Sequence, residues 1–297
     1  MAENTAAQPI VAGVDGSASA LNAALWAAGE AARRHLPLRL AHAVGLSPLA
    51  YSGGFRPSPN YANHVESEGR KALAEAAEAI GLAHPDLDVT TVLSGSSSVQ
   101  TLIDESGDAR LVVLGSRGLG GFAGLLAGSN AVALVSHGRC PVAVIRSGTP
   151  VTDGPVVVGV DGSPHSEAAV EIAFEEASLR GVGLTAVHTW VEFASDSAYA
   201  YARQFVTNMD DVQASETEQL AASLTDWQEK YPNVTVARVV TRDRPARCLI
   251  DHAAGAQLLV VGSRGHGGFT GMLLGSTSQA LIYHAPCPLL VARSAPS

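Results

Sequence analysis

Short apolar runs alternate along the chain with longer segments in which apolar and polar residues recur at helical spacing. In the first half, apolar runs predict strands over residues 10–14, 38–44, 89–93, 111–114 and 142–145. Helices are predicted from a cap at Ser17 or Ser19 to about residue 35, and over residues 64–82, 99–106 and 129–137. This alternation predicts a parallel sheet with helices on both faces.

The second half of the chain repeats the same plan. Strands are predicted over residues 156–160, 184–189, 234–240, 258–261 and 289–291. Helices are predicted over residues 166–180, 209–231, 246–253 and 275–284. The segment between the halves contains Gly, Thr, Pro and Asp, which is typical of a linker. We therefore predict two α/β domains, residues 1–147 and 155–297, joined by residues 148–154.

One long segment in each half departs from this alternation. Residues 45–63 are rich in Ser, Pro, Gly, Tyr and Asn, and residues 191–207 occupy the corresponding place in the second half. We predict surface loops here, the first of which can order over a ligand or a partner.

A glycine-rich motif follows the fourth predicted strand of each half. The spacing is G-x2-G-x9-G-S in both copies, which lie 147 residues apart, with Gly115, Gly118, Gly128 and Ser129 in the first and Gly262, Gly265, Gly275 and Ser276 in the second. A strand, a glycine loop and a helix start form an anion cradle, because free backbone N–H groups and the helix dipole both favour negative charge. The repeat indicates two homologous domains.

An aspartate follows the first predicted strand of each half, at Asp15 and Asp161. Ligands of open parallel sheets bind beyond the carboxyl ends of the strands, where the strand order reverses. If strands one and four are neighbours, each aspartate faces a glycine loop across a crevice. The loop suits a polyphosphate, whereas the carboxylate suits ribose, a base or a phosphate-bound Mg²⁺ or Mn²⁺. Arg117 and Arg264 add positive charge near the phosphates, although a solvated loop arginine explains them equally well.

Composition and charge exclude several classes of partner. The formal net charge is −9, and no half carries a basic run, which argues against nucleic acid and anionic membranes. The first nine residues lack the pattern of a signal peptide, and no apolar run approaches the length of a membrane span. We expect a cytoplasmic protein.

Familiar nucleotide-binding and catalytic motifs are absent from the sequence. The only lysines, Lys71 and Lys230, do not follow a glycine, so there is no P-loop. The first strand leads into Val-Asp-Gly-Ser rather than G-x-G-x-x-G, which disfavours dinucleotide binding. No serine lies in a G-x-S-x-G context, and no base is assigned to one.

The cysteines and repeated histidines are interpreted as structural residues. Cys140, Cys248 and Cys287 have no zinc spacing and form no disulfide framework. His42 and His188 occupy equivalent points in the second strand of each half, where a hydrogen-bonded core histidine is the favoured interpretation.

The motifs together resemble a known family. Gly-Val-Asp-Gly-Ser after the first strand, Gly-Ser-Arg-Gly after the fourth and G-x2-G-x9-G-[ST] are similar to the tandem-domain form of the universal stress protein family, in its ATP-binding branch. The resemblance covers nearly the whole chain. It implies two Rossmann-like (adenine nucleotide alpha hydrolase-like) domains, each with a five-stranded parallel sheet of order 3-2-1-4-5 and one ATP. It also implies pairing of the domains through their fifth strands, residues 142–145 and 289–291, and a homodimer.

The resemblance also implies which residues contact the nucleotide. Carried over by position, they are Gly13, Val14, Asp15, Ala43, Gly115, Arg117, Gly118, Gly128, Ser129 and Asn130 in the first half, and Gly159, Val160, Asp161, Thr189, Gly262, Arg264, Gly265, Gly275, Ser276 and Thr277 in the second. Asp15 and Asp161 would contact the nucleoside or the metal.

Three functions stay open from the sequence. The first is an ATP-dependent regulator of stress response and growth, in which nucleotide occupancy selects one loop conformation. The second is a weak ATPase or phosphoryl-transfer enzyme, although neither a catalytic lysine nor a water-activating residue can be named. The third is a chaperone-like or scaffold protein that binds no nucleotide.

Overall fold

The computed structural model describes residues 7–45, 59–116, 129–146, 151–190, 209–266 and 273–293. The chain forms two compact units, Met1–Thr149 and Pro150–Ser297, and each is described by itself.

The first unit is a five-stranded sheet with four described helices. Its strands are β1 (Ile10–Gly13), β2 (Leu38–Ala43), β3 (Val89–Ser94), β4 (Leu111–Gly115) and β5 (Val142–Ile145). Its helices are α1 (Ala18–Arg34), α2 (Pro59–Ala83), α3 (Ser98–Glu105) and α4 (Ser129–His137). The strand order is β3-β2-β1-β4-β5 and every pairing is parallel, as predicted.

The second unit repeats this architecture. Its strands are β6 (Val156–Val160), β7 (Leu184–Thr189), β8 (Val236–Thr241), β9 (Leu258–Gly262) and β10 (Leu289–Ala292). Its helices are α5 (Pro164–Arg180), α6 (Met209–Ser223), α7 (Thr225–Lys230), α8 (Pro245–Ala253) and α9 (Ser276–His284). The strands are parallel in the order β8-β7-β6-β9-β10. Both sheets confirm the predicted fold class.

The central strands are apolar throughout because both faces of each sheet are covered. Ile10, Val11 and Ala12 are all 0% exposed, although successive side chains of a strand point to opposite faces. In the first unit α1 packs with α2, and α3 packs with α4. In the described part of the chain, no helix is long and apolar enough to cross a membrane.

The first helix of each unit begins at a serine N-cap and ends at a residue in the left-handed region. The sequence predicted the N-cap of the first helix as Ser17 or Ser19. The hydroxyl of Ser17 accepts from the N–H of Ala20 at 3.2 Å, so Ser17 is the N-cap rather than Ser19. His35 ends the helix in the left-handed region at φ 53°. In α5 the same positions are held by Ser163 and by Gly181 at φ 67°.

Three predicted boundaries differ from the structure. Residues 59–63, predicted to end the first long loop, begin α2 instead, while residues 46–58 and 191–208 lie outside the described residues. The strand predicted over residues 234–240 is β8, Val236–Thr241. The predicted helix over residues 209–231 is two helices separated by Leu224. The Ser223 hydroxyl donates to the carbonyl of Leu220 at 2.9 Å, and the Thr225 hydroxyl donates to that of Ala221 at 3.1 Å. These side-chain bonds compete with the helical backbone bonds and favour a break.

Candidate functional site

The sheet order brings the two repeated motifs of each domain to one edge. Strand β1 lies beside β4 with Ala12 opposite Val113, and β6 lies beside β9 with Val158 opposite Val260. Since these strands are parallel, the aspartate after the first strand and the glycine loop after the fourth begin at the same carboxyl edge. This edge is the point at which the strand order reverses, where ligands of such sheets bind.

Each aspartate shapes the turn that enters the first helix. Oδ1 of Asp15 accepts the N–H of the serine two residues later at 3.0 Å, and Oδ1 of Asp161 does the same at 3.0 Å. The glycine between them has φ of 86° in the first domain and 76° in the second, which disfavours any other residue. Oδ1 of each aspartate therefore stabilises the turn between the first strand and the first helix.

The glycine that ends the fourth strand is required by helix packing. A Cβ atom on Gly115 would lie 2.8 Å from the carbonyl oxygen of Ser19 in the first turn of α1. On Gly262 it would lie 2.7 Å from the carbonyl carbon of His165 in the first turn of α5. Gly13 and Gly159 similarly leave room for leucine side chains of α3 and α8. Four of the predicted nucleotide-binding glycines thus have a structural role whether or not a ligand is present.

The glycine loop of the second domain is closed by its own hydrogen bonds. The N–H of Gly275 donates to the carbonyl of Ser263 at 2.9 Å, and the hydroxyl of Ser278 donates to the carbonyl of Gly262 at 2.6 Å. Gly275 is the N-cap residue of α9, outside the helix, so its amide turns back toward the loop. The structure therefore gives this amide a partner within the loop.

The first turn of α9 presents backbone donors. N–H groups in the first turn of a helix have no acceptor within the helix. The caps of α1 and α5 supply serine hydroxyls, whereas Gly275 makes no side-chain cap to α9. Within the described residues the amides of Ser276 and Thr277 have no acceptor, so they suit an anion, with the helix dipole adding to the attraction.

Two arginines lie near His165 at the carboxyl edge of the second sheet. Arg264 is exposed in the glycine loop, and Arg293 follows β10 at the same edge. The pKa of His165 is lowered, mainly because burial disfavours the imidazolium and also because Arg264 and Arg293 repel it, against the opposing pull of Asp161. The equivalent residue of the first domain is Ser19.

Acid stability should depend on His165. Its lowered folded pKa means that the unfolded chain takes up this proton more readily below pH ~6.5, so the fold loses stability as the pH falls through that range. In His165→Ser, we expect a smaller drop in the urea midpoint of the second domain between pH 7.5 and 5.5 than in the wild type. An equal drop in both proteins would show that other groups cause the acid sensitivity.

The strand-two histidines are half-buried and hydrogen-bonded to the backbone. Nδ1 of His42 donates to the carbonyl of Val14 at 2.7 Å, and Nδ1 of His188 donates to that of Val160 at 2.8 Å. Nε2 of His188 also lies 3.0 Å from a carboxylate oxygen of Glu216, whereas the ring of His42 lies against Gly69. The histidine of the second domain thus ties α6 to the carboxyl end of β6.

The predicted site residues of the first domain are described in part. Arg117, Gly118 and Gly128 lie outside the described residues. Ser129 begins α4, and the side-chain amide of Asn130 donates to the hydroxyl of Ser98 at 3.0 Å. The complete glycine loop of the first domain therefore stays a sequence-based prediction.

Sequence reasoning missed a cluster beside Thr189, a residue that the family resemblance places near adenine. Nε1–H of Trp190 donates to Oε1 of Gln213 at 2.8 Å. The guanidinium of Arg242 lies 5.8 Å from the centre of the Trp190 ring. These residues are separated by tens of positions in sequence, and Val44 occupies the place of Trp190 in the first domain. Comparing the two repeats position by position would have identified the tryptophan but not its partners.

Cys140, Cys248 and Cys287 are all buried. Burial raises the pKa of the Cys287 thiol to about 12, and burial followed by the charges of Asp243 and Asp251 raises that of Cys248. The thiol of Cys140 is also buried and lies 3.4 Å from a carbonyl oxygen, that of Pro141.

We therefore expect the folded protein to resist thiol reagents. Only the thiolate reacts, and a pKa near 12 leaves it scarce at pH 8. Titration with Ellman's reagent at pH 8 should modify much less than one thiol per chain within minutes, and all three cysteines in urea. Rapid modification of Cys287 in the folded protein, located by peptide mapping, would contradict this expectation.

A metal ion has no ready-made side-chain site in the described part of the chain, where no three His, Cys, Asp or Glu residues are grouped to hold one. A divalent cation at this edge would have to be held largely by the oxygens of a ligand and by water, which is how Mg²⁺ commonly binds with phosphates.

Comparisons with known proteins agree with the fold and the repeat. A profile of the Universal stress protein family matches residues 7–146 and 154–293. Universal stress protein Rv2005c of Mycobacterium tuberculosis is 44% identical over 293 residues, covering 96% of each chain. Universal stress protein Rv2623 of the same species is 38% identical over 303 residues, covering 99% of each.

A solved structure has the same fold. The crystal structure of a universal stress protein from Archaeoglobus fulgidus matches with a TM-score of 0.69 at 20% identity, covering 97% of this chain and 96% of that one. Because the family profile matches both halves and curated relatives match almost end to end, this chain belongs to the universal stress protein family.

Proposed function

We propose that the chain binds ATP, one molecule in each domain, at the carboxyl edge of each sheet. The observation that carries this proposal is the start of α9, where backbone amides without a side-chain cap lie at the end of a glycine loop that also contains Arg264. Free amides, a helix dipole and a guanidinium together favour a polyphosphate. The repeated spacing around Gly115 extends the proposal to the first domain.

The two ends of the crevice suit different parts of ATP. The phosphates would lie against Gly265, Ser276 and Thr277, with Mg²⁺ or Mn²⁺ carried mainly by phosphate oxygens. The adenosine would lie toward the ends of the first and second strands, near Val160 and Thr189. Gly118, Gly128, Ser129, Asn130, Val14 and Ala43 are the proposed counterparts in the first domain.

Regulation, rather than turnover, is the proposed use of this nucleotide. The chain's only lysines, Lys71 and Lys230, lie in α2 and α7, and neither follows a glycine as the lysine of a P-loop does. A nucleotide-dependent regulator of stress response and growth needs only that ATP favour one loop conformation over another. A cytoplasmic location, homodimer formation and pairing through the fifth strands belong to the same proposal.

Isothermal titration calorimetry of ATP with magnesium tests the proposal. In Arg264→Ala, we expect the affinity of the second site to fall about tenfold, equivalent to ~1.4 kcal/mol, because a guanidinium contact to phosphate is lost. Arg238→Ala is the matched control, since it removes the same charge from the exposed edge strand β8. We expect the control to bind ATP like the wild type.

Two outcomes would contradict the proposal. A wild-type protein that does not bind millimolar ATP would favour the scaffold function. Equal losses in Arg264→Ala and Arg238→Ala would show that only net charge matters. Sustained release of phosphate by the wild type would instead favour the ATPase alternative.

A further inference from the structure

The carboxylate of Asp161 is occupied on both of its oxygens. Oδ1 accepts the backbone N–H of Ser163 at 3.0 Å and its hydroxyl at 2.6 Å. Oδ2 accepts the backbone N–H of His266 at 3.1 Å, which joins the turn after β6 to the glycine loop 105 residues further along the chain. One side chain thus connects the two motifs of the second domain.

The glycine loop is fitted around this carboxylate. A Cβ atom on Gly265 would collide with Oδ2 of Asp161, so a larger residue here would have to displace the carboxylate or the loop. The imidazole of the next residue, His266, lies 3.6 Å from the position that a Cβ on Gly162 would take. The conformation of residues 264–266 therefore depends on a contact with the turn rather than on the loop alone.

This arrangement is poorly suited to direct metal binding by Asp161. A carboxylate accepts about four hydrogen bonds, and three protein donors already lie on this one, two on Oδ1 and one on Oδ2. The remaining position on Oδ2 suits a hydroxyl, whereas a cation there would repel the N–H of His266 on the same oxygen. Losing the His266 bond would also release the loop that is to hold the phosphates.

We propose that Asp161 is a positioning residue, whose Oδ2 holds the glycine loop of the second domain in the conformation that receives phosphate, and that it does not ligate the metal. This inference rests on the proposed function, because the phosphate is that of the proposed ATP. It gives Asp161 the role of a support for the loop in place of the role of a metal ligand.

Asp161→Asn separates the two roles. An asparagine keeps one oxygen for Ser163 but presents an NH₂ group to the N–H of His266, where two donors oppose each other. We expect faster amide hydrogen exchange at His266 in the protein without ligand, measured by NMR. We also expect ATP affinity at the second site to fall by about tenfold or more, by the same factor with magnesium and with EDTA.

Two control variants complete the experiment. Asp251→Asn makes the same charge change on the exposed face of α8 and should leave both measurements unchanged. Ser163→Ala removes the helix cap and one donor to Oδ1 but keeps the His266 bond, so it tests for general loosening of the turn. We expect exchange at His266 in Ser163→Ala to stay close to that of the wild type.

Three results would overturn the inference. The first is an Asp161→Asn protein that loses only the magnesium-dependent part of ATP binding, since this would make Asp161 a metal ligand. The second is unchanged exchange at His266 in Asp161→Asn. The third is equal acceleration in Ser163→Ala. If the wild type binds no ATP, the proposed function fails, while exchange at His266 still decides whether Asp161 holds the loop.

Discussion

Gly262→Ala is expected to lower the free energy of unfolding of the second domain by about 2–3 kcal/mol. The added Cβ would lie 2.7 Å from both the carbonyl carbon and oxygen of His165, and these backbone atoms cannot rotate away. Either α5 or β9 must move, which disturbs the contact between the first helix and the fourth strand. Urea denaturation followed by circular dichroism would measure the loss, and Gly115→Ala should show a comparable one in the first domain.

Gly81→Ala is the matched control for this substitution. Nothing lies within 4 Å of a Cβ at Gly81, which is inside α2. Alanine has the higher helix propensity there, so we expect stabilisation of about 0.5–1 kcal/mol. A Gly262→Ala protein as stable as the wild type would show that β9 does not pack this closely against α5. Gly262 would then have no structural role in the second domain.

Phe174→Ala should destabilise the second domain by about 3–5 kcal/mol. Phe174 is 0% exposed, and its ring centroid lies 6.4 Å from that of Trp227 and 6.0 Å from that of Tyr231. The substitution leaves a cavity between α5 and α7 and removes both aromatic contacts. Thermal unfolding followed by tryptophan fluorescence would detect the loss.

The control for Phe174→Ala lies on the same helix. Leu179 is 39% exposed, so Leu179→Ala removes a partly solvated side chain and should cost about 1 kcal/mol or less. Equal effects of the two substitutions would mean that Phe174 is not packed as described, and that α7 is held to α5 by something other than the aromatic cluster.

Much of the fold could be predicted from the sequence because the two halves support each other. Predicted strands 142–145, 156–160 and 184–189 have the bounds of β5, β6 and β7. Buried parallel strands are short apolar runs between helices, a pattern that is hard to mistake when it occurs twice. The predicted neighbourhood of the first and fourth strands followed from the family resemblance, and the pairing of β1 with β4 confirms it.

The individual bonds between residues far apart in sequence could not be predicted. The sequence predicted that Asp161 faces the glycine loop, but not that the N–H of His266, 105 positions away, donates to its Oδ2. The break at Leu224 depends on neighbouring hydroxyl groups whose preference for carbonyl oxygens competes with helix propensity.

The two domains share a fold but differ at their carboxyl edges. His165 stands where the first domain has Ser19, and Trp190 stands where it has Val44. A half-buried imidazole beside Arg264 makes the second crevice sensitive to protonation in a way that a serine hydroxyl cannot. Binding measurements should therefore treat the two proposed sites as unequal.

The measurement that tests ATP binding most directly is the identification of small molecules released when freshly purified protein is denatured. Liquid chromatography with mass spectrometry would identify and quantify them. We predict ATP, approaching two molecules per chain. A protein that releases no nucleotide and also fails to bind added ATP with magnesium would contradict the proposed function and leave the fold and the family membership standing.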